Sequence, residues 1–141
     1  MKPLDILIHY HLTEEHIKEL SVLSPRVRIS FYPEGEFSEI PADSVSKAEI
    51  MLTSGGIPEP KDAPELRWVQ FPYAGIDFVK DHPLLRKEDL KATTLSGAAS
   101  PKIAEYTLMV LLALGHKLPM MVQYQEKKIW PPDRIKRFRP S

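Results

Sequence analysis

The sequence has no cysteine and only six glycines in 141 residues. Without cysteine there is no disulfide framework, no thiolate metal site and no cysteine nucleophile. None of the glycines forms a G-x-G-x-x-G turn after a strand, and there is no Walker A sequence, so these residues carry no dinucleotide or nucleotide-phosphate signature. Long apolar runs are missing too. The longest, Thr107 to Leu114, is far short of the ~20 residues that span a bilayer. The opening MKPLDILIHYH is apolar too briefly to be a signal peptide. The expectation is a soluble, cytoplasmic chain with no membrane partner.

There is also no net charge, but the balance is uneven. Residues 126–141 hold six Lys/Arg against two acids, which leaves the remainder at −4. Six cations with Trp130 and Phe138 nearby suit either a non-specific phosphate-binding arm or a solvated linker to another segment. A balance of +4 is weak, so the linker is favoured and no nucleic-acid partner is expected.

What is present suits one domain with a real core: 43% hydrophobic and 27% charged residues. The 14 prolines fall mainly in connections. Leu4 to Tyr10 reads as a buried strand, Thr13 to Leu23 as a helix capped by Thr13, and Val27 to Tyr32 as a second strand. Pro33 to Asp43 is a loop leading to a short helical turn. Further strands follow at Ala48 to Thr53, Leu66 to Phe71 and Lys91 to Leu95. Alternating strands and helices predict a parallel sheet flanked by helices, an open α/β domain. Ligands bind such sheets beyond the carboxyl ends of the strands. That edge would carry His11, Tyr32, Ser54 to Gly56, Phe71 to Asp77 and Ser96 to Ser100.

A helix is expected to start at Ser100-Pro101, with Ser100 as N-cap, and to stop at Gly115. It is apolar on nearly every face from Thr107 to Leu114, which requires cover on more than one side. A second helix is expected over Pro119 to Ile129, ended by Trp130-Pro131-Pro132.

Two turns at strand ends contain glycine: Ser54-Gly55-Gly56 and Ala74-Gly75-Ile76-Asp77. They serve either as simple turns or as anion sites built from exposed amides. His9, His11, His16, His82 and His116 form no convincing metal-ligand set, so solvated or structural histidines are expected and no metal.

Three stretches together resemble one family. Leu66-Arg-Trp-Val-Gln-Phe-Pro-Tyr-Ala-Gly-Ile-Asp77, then Leu95-Ser-Gly-Ala-Ala-Ser-Pro-Lys-Ile-Ala-Glu-Tyr-Thr-Leu108, then Gln123 to Trp130, are similar in register to segments of the D-isomer-specific 2-hydroxyacid dehydrogenases. The resemblance implies a flavodoxin-like substrate-binding domain, here residues 1–118, with about five parallel strands. Residues 119–141 would be an interdomain or dimerisation segment and basic tail leading toward an absent Rossmann domain. It implies NAD or NADP in the full-length family, and none in this chain. It also implies a small 2-oxo or 2-hydroxy acid as substrate and a homodimer. The family's catalytic Arg, Glu and His lie in or after the Rossmann part, and neither His116 nor Arg134 is assigned to such a role. By resemblance, Ser54, Gly55 and Gly56, with Tyr73, Ala74, Gly75 and Ile76, face the substrate. Tyr32 walls the pocket, and Trp130 reaches a partner subunit's site. The alternative is a non-enzymatic interaction module that dimerises through the apolar helix.

Overall fold

A computed structural model describes residues 2–33 and 35–130. The chain divides into two compact units between Ser96 and Gly97. The first holds a five-stranded parallel sheet: β1 (Leu4–His9), β2 (Val27–Phe31), β3 (Ile50–Thr53), β4 (Trp68–Gln70) and β5 (Lys91–Thr93). The strand order β2-β1-β3-β4-β5 is the flavodoxin-like order. Every pairing is parallel, so all carboxyl ends lie on one edge.

Helix α1 (Glu14–Val22) connects β1 to β2. Thr13 caps it, and His16 completes a capping box: the Thr13 hydroxyl accepts from the His16 amide at 3.3 Å, and the His16 ring accepts from the Thr13 amide at 3.4 Å. A 3-10 turn (Phe37–Glu39) and α2 (Ala42–Lys47) connect β2 to β3.

The register fixes the core. Leu7, Met51 and Val69 align across the sheet on one face, with Thr53 and Phe71 two residues on, and all five are fully buried. Ile40, Val45, Ala48, Leu66 and Leu84 fill the space against this face. The opposite face aligns Ile6, Ile50 and Trp68, then Ile8, Leu52 and Gln70; Ile8 is buried while Trp68 is exposed. At the amino edge, the buried Glu49 carboxylate pairs with the Arg67 guanidinium and with Lys2 Nζ at 3.7 Å. Its main chain is also fully used: the amide donates to Asp5 O, and the carbonyl accepts from Arg67 and Trp68.

β4 and β5 are shorter than the apolar runs predict. Leu66 instead sits in a turn, its amide bonded to Ala63 O, and Leu95 bonds to Tyr73 O rather than extending the ladder.

The second unit contains α3 (Ser100–Gly115) and α4 (Leu118–Glu126). Ser100 is not the N-cap of α3. That position is Ala99, without a side-chain cap, because the turn at Gly97 (φ +88°) already brings Ser100 into helical geometry. α4 ends earlier than expected, at Glu126: Lys128 turns left-handed (φ +53°), and the Ile129 amide bonds back to Tyr124 O. Within the chain α3 buries none of its residues. Among the described residues, no helix is long and apolar enough to cross a membrane. The predicted basic tail lies outside the described residues beyond Trp130.

Replacing Leu7, at the centre of the packed face, by Ala should lower stability by about 3 kcal/mol, read as a shift in urea midpoint at unchanged slope.

Candidate functional site

In the first unit, the carboxyl edge brings together the ends of β1, β3 and β4 and the start of the chain beyond β2. The strand order reverses between β1 and β3, the place where open α/β sheets hold ligands.

Thr53, the last residue of β3, is fully buried. Its hydroxyl accepts from the Gly55 amide at 3.3 Å and donates to the Gly56 carbonyl at 2.9 Å, folding Ser54-Gly55-Gly56 back over the strand end. A Cβ at Gly55 would meet nothing within 4 Å, so this turn has an open side. Gly56 is different: a Cβ there would collide with the Phe37 side chain. Phe37 comes from the loop between β2 and α2, and His9 holds it. The His9 ring meets the Phe37 ring edge-on at 5.7 Å, and His9 Nε2 bonds the Gly35 carbonyl at 3.1 Å. With Nε2–H donating there, Nδ1 is a buried acceptor with no partner among the described residues.

The turn after β4 is built on aromatic contacts. Phe71 is fully buried and touches Phe78 edge-on at 6.3 Å, and Phe78 touches Tyr73 in the same way at 6.3 Å. Ile76 packs its side chain against the core, which leaves Tyr73, Ala74 and Gly75 exposed above it. Among the described residues, the amides of Gly56, Ala74, Gly75 and Ile76 donate to no acceptor in the protein. Such amides, without side-chain cover at the glycines, offer hydrogen bonds to an anion such as a carboxylate. One group opposes this. Asp77 Oδ2 lies 3.5 Å from where a Gly75 Cβ would stand, so a negative charge flanks the turn.

The sequence-predicted residues therefore fall in three places. Ser54, Gly55, Gly56, Tyr73, Ala74, Gly75 and Ile76 all lie on the carboxyl edge. Tyr32 lies beside it, but its hydroxyl is 2.9 Å from Ser44 Oγ, tying the end of β2 to α2. Trp130 is exposed and belongs to the second unit. Sequence reading missed Thr53 and Phe37 and left His9 among histidines without a specific role. The available signals were a β-branched hydroxyl directly before Ser-Gly-Gly and a lone aromatic in an acidic, Pro-containing loop. Among the described residues, no three His, Asp or Glu side chains cluster as a metal site would require.

No protein-family model matches the sequence, and no curated protein matches it. Solved structures share its fold. A D-isomer-specific 2-hydroxyacid dehydrogenase family protein from Aeromonas salmonicida matches 89% of this chain with 40% of its own, at TM-score 0.64 and 24% identity. A phosphoglycerate oxidoreductase from Rhizobium etli matches 98% with 46% of its own, at TM-score 0.68 and 15% identity. A D-lactate dehydrogenase from Aquifex aeolicus, complexed with NAD and lactic acid, matches 91% with 39% of its own, at TM-score 0.60 and 18% identity. The chain thus spans less than half the length of these proteins. At these identities the likeness establishes the fold.

Thr53→Val keeps the shape of the side chain and removes both hydroxyl bonds. It should cost about 1–3 kcal/mol and move the Gly55 and Gly56 amide resonances while leaving Gly75 in place.

Proposed function

We propose that this chain is the substrate-binding part of a D-2-hydroxyacid dehydrogenase, and that its carboxyl edge holds the carboxylate of a small 2-oxo or 2-hydroxy acid. One observation carries the reading: two turns with unpaired amides, at Gly56 and at Ala74 to Ile76, stand on the same edge of a fold found in such dehydrogenases. The carboxylate accepts from these amides, and Tyr73 and Ser54 flank it. Tyr32 acts on this pocket through α2, since its hydroxyl is engaged by Ser44. In this reading residues 1–118 serve the substrate, residues 119–141 lead toward the rest of the protein, and Trp130 serves a partner subunit's site.

The described residues do not fit a dinucleotide. The β1–α1 junction is the first strand-to-helix entry of the sheet, and it carries no glycine. Its helix start is already closed by the Thr13–His16 capping box. We therefore assign NAD or NADP, the Rossmann fold and the hydride transfer to a domain outside these residues. In a longer protein the present residues bind and orient the acid.

Titrating the isolated chain with pyruvate should shift the amide resonances of Gly55, Gly56 and Gly75. Silence at all three would remove the reading. Asp77→Asn takes away the flanking charge and should tighten pyruvate binding by roughly threefold. NADH fluorescence should not change on adding the chain, and saturable NADH binding would contradict the assignment.

A second reading rests on α3. Seven large apolar side chains from Ile103 to Leu114 are each more than half exposed, a surface that favours covering by another protein. Here the chain is an interaction module in which α3 joins two copies. Sedimentation equilibrium should then show a dimer that Leu111→Asp converts to monomer, and a strictly monomeric native chain would contradict it.

A further inference from the structure

Behind the Gly55-Gly56 turn lies a groove of about 760 Å³ between α2 and the Pro-rich β3–β4 connection. That volume falls within the range of small-molecule sites and far exceeds what a two- or three-carbon acid fills. Its floor is apolar, from Ile40, Val45 and Ile57, and Asp43, Glu59 and Asp62 stand among its lining. Phe37 belongs to both sides: it lines the groove, and its side chain is the one a Gly56 Cβ would strike. Ile57 and Pro58, the next residues after Gly56, also line the groove, so turn and groove are continuous through the chain. The Phe37 ring is braced by the His9 ring and by the His9 bond to Gly35.

We propose that Phe37 determines substrate size: its ring closes the passage from the amide turn at Gly55-Gly56 into the apolar groove and so restricts the site to short 2-oxo acids. The inference rests on the carboxylate-binding reading above. A carboxylate bound at the turn places the acid's remaining carbons against the ring. A one-carbon side chain ends there; a branched or aromatic one has to enter the groove, which Phe37 fills at its mouth. His9 is a positioning residue here, since it holds the strap that carries Phe37.

The test compares pyruvate with 4-methyl-2-oxopentanoate, both followed at the Gly55, Gly56 and Gly75 amides, in the native chain and in Phe37→Ala. The native chain should bind pyruvate and discriminate against the larger acid. Phe37→Ala should change the ratio of the two affinities by about tenfold or more toward the larger acid, the scale set by a few methylene groups in an apolar pocket. Phe37→Leu keeps the core filled and should give an intermediate ratio, which preserves the test if the alanine variant does not fold. Pyruvate binding with an unchanged ratio in both folded variants overturns this inference alone. No response to pyruvate in the native chain overturns the underlying reading, and this inference with it.

Discussion

Thr53 ends the central strand with its hydroxyl fully buried, and a hydroxyl removed from water has to find its partners inside the protein. It finds both within three residues, at the Gly55 amide and the Gly56 carbonyl. That pair of bonds decides which way the chain leaves the sheet. It folds the turn back over the strand end, leaves the Gly56 amide without an acceptor among the described residues, and brings Gly56 so close to Phe37 that a Cβ there would collide with its side chain. The β2–α2 loop is fixed in turn through Phe37, His9 and Gly35. The parallel sheet then sets the second turn, at Ala74 to Ile76, on the same edge, where the buried Phe71 anchors it and the Phe78 ring links Phe71 to the exposed Tyr73.

The rest of the first unit is arranged to hold that edge. The packed face of the sheet is apolar at Leu7, Met51, Val69 and Phe71, and the buried carboxylate of Glu49 sits at the amino edge, opposite to Thr53. A buried charge is tolerable only when paired, and Glu49 has Arg67 and Lys2 as well as a fully bonded main chain. Here Glu49 has all its partners, whereas at the carboxyl edge the amides of Gly56, Ala74, Gly75 and Ile76 have none among the described residues. The contrast separates the structural edge of the sheet from the one available to a ligand.

Much of this was legible from residue patterns. The strands, the capped α1 and the parallel α/β class follow from periodicity and from Thr13, and the order of elements follows the predicted one. The two glycine turns were visible because Ser-Gly-Gly and Ala-Gly interrupt apolar strands. What sequence could not supply was contact between distant residues. Phe37 and Gly56 are nineteen positions apart, and His9 and Gly35 are twenty-six apart. Neither pair has a spacing rule, because loops rather than periodic elements bring them together. The family resemblance makes Tyr32 a pocket wall, but only three dimensions reveal Ser44 engaging its hydroxyl. Ser100 is a fair N-cap by residue type, but after the left-handed turn at Gly97 the helix takes Ser100 in as its first residue, with Ala99 at the cap position.

The central claim is that the unpaired amides of the carboxyl edge receive an acid's carboxylate. A crystal structure of the chain with oxamate, an unreactive mimic of a 2-oxo acid, tests it directly. The expected result is a carboxylate within about 3 Å of the Gly56 and Gly75 nitrogens, the ordinary span of an N–H···O bond. Oxamate bound elsewhere on the chain, with those amides still unpaired, would contradict it.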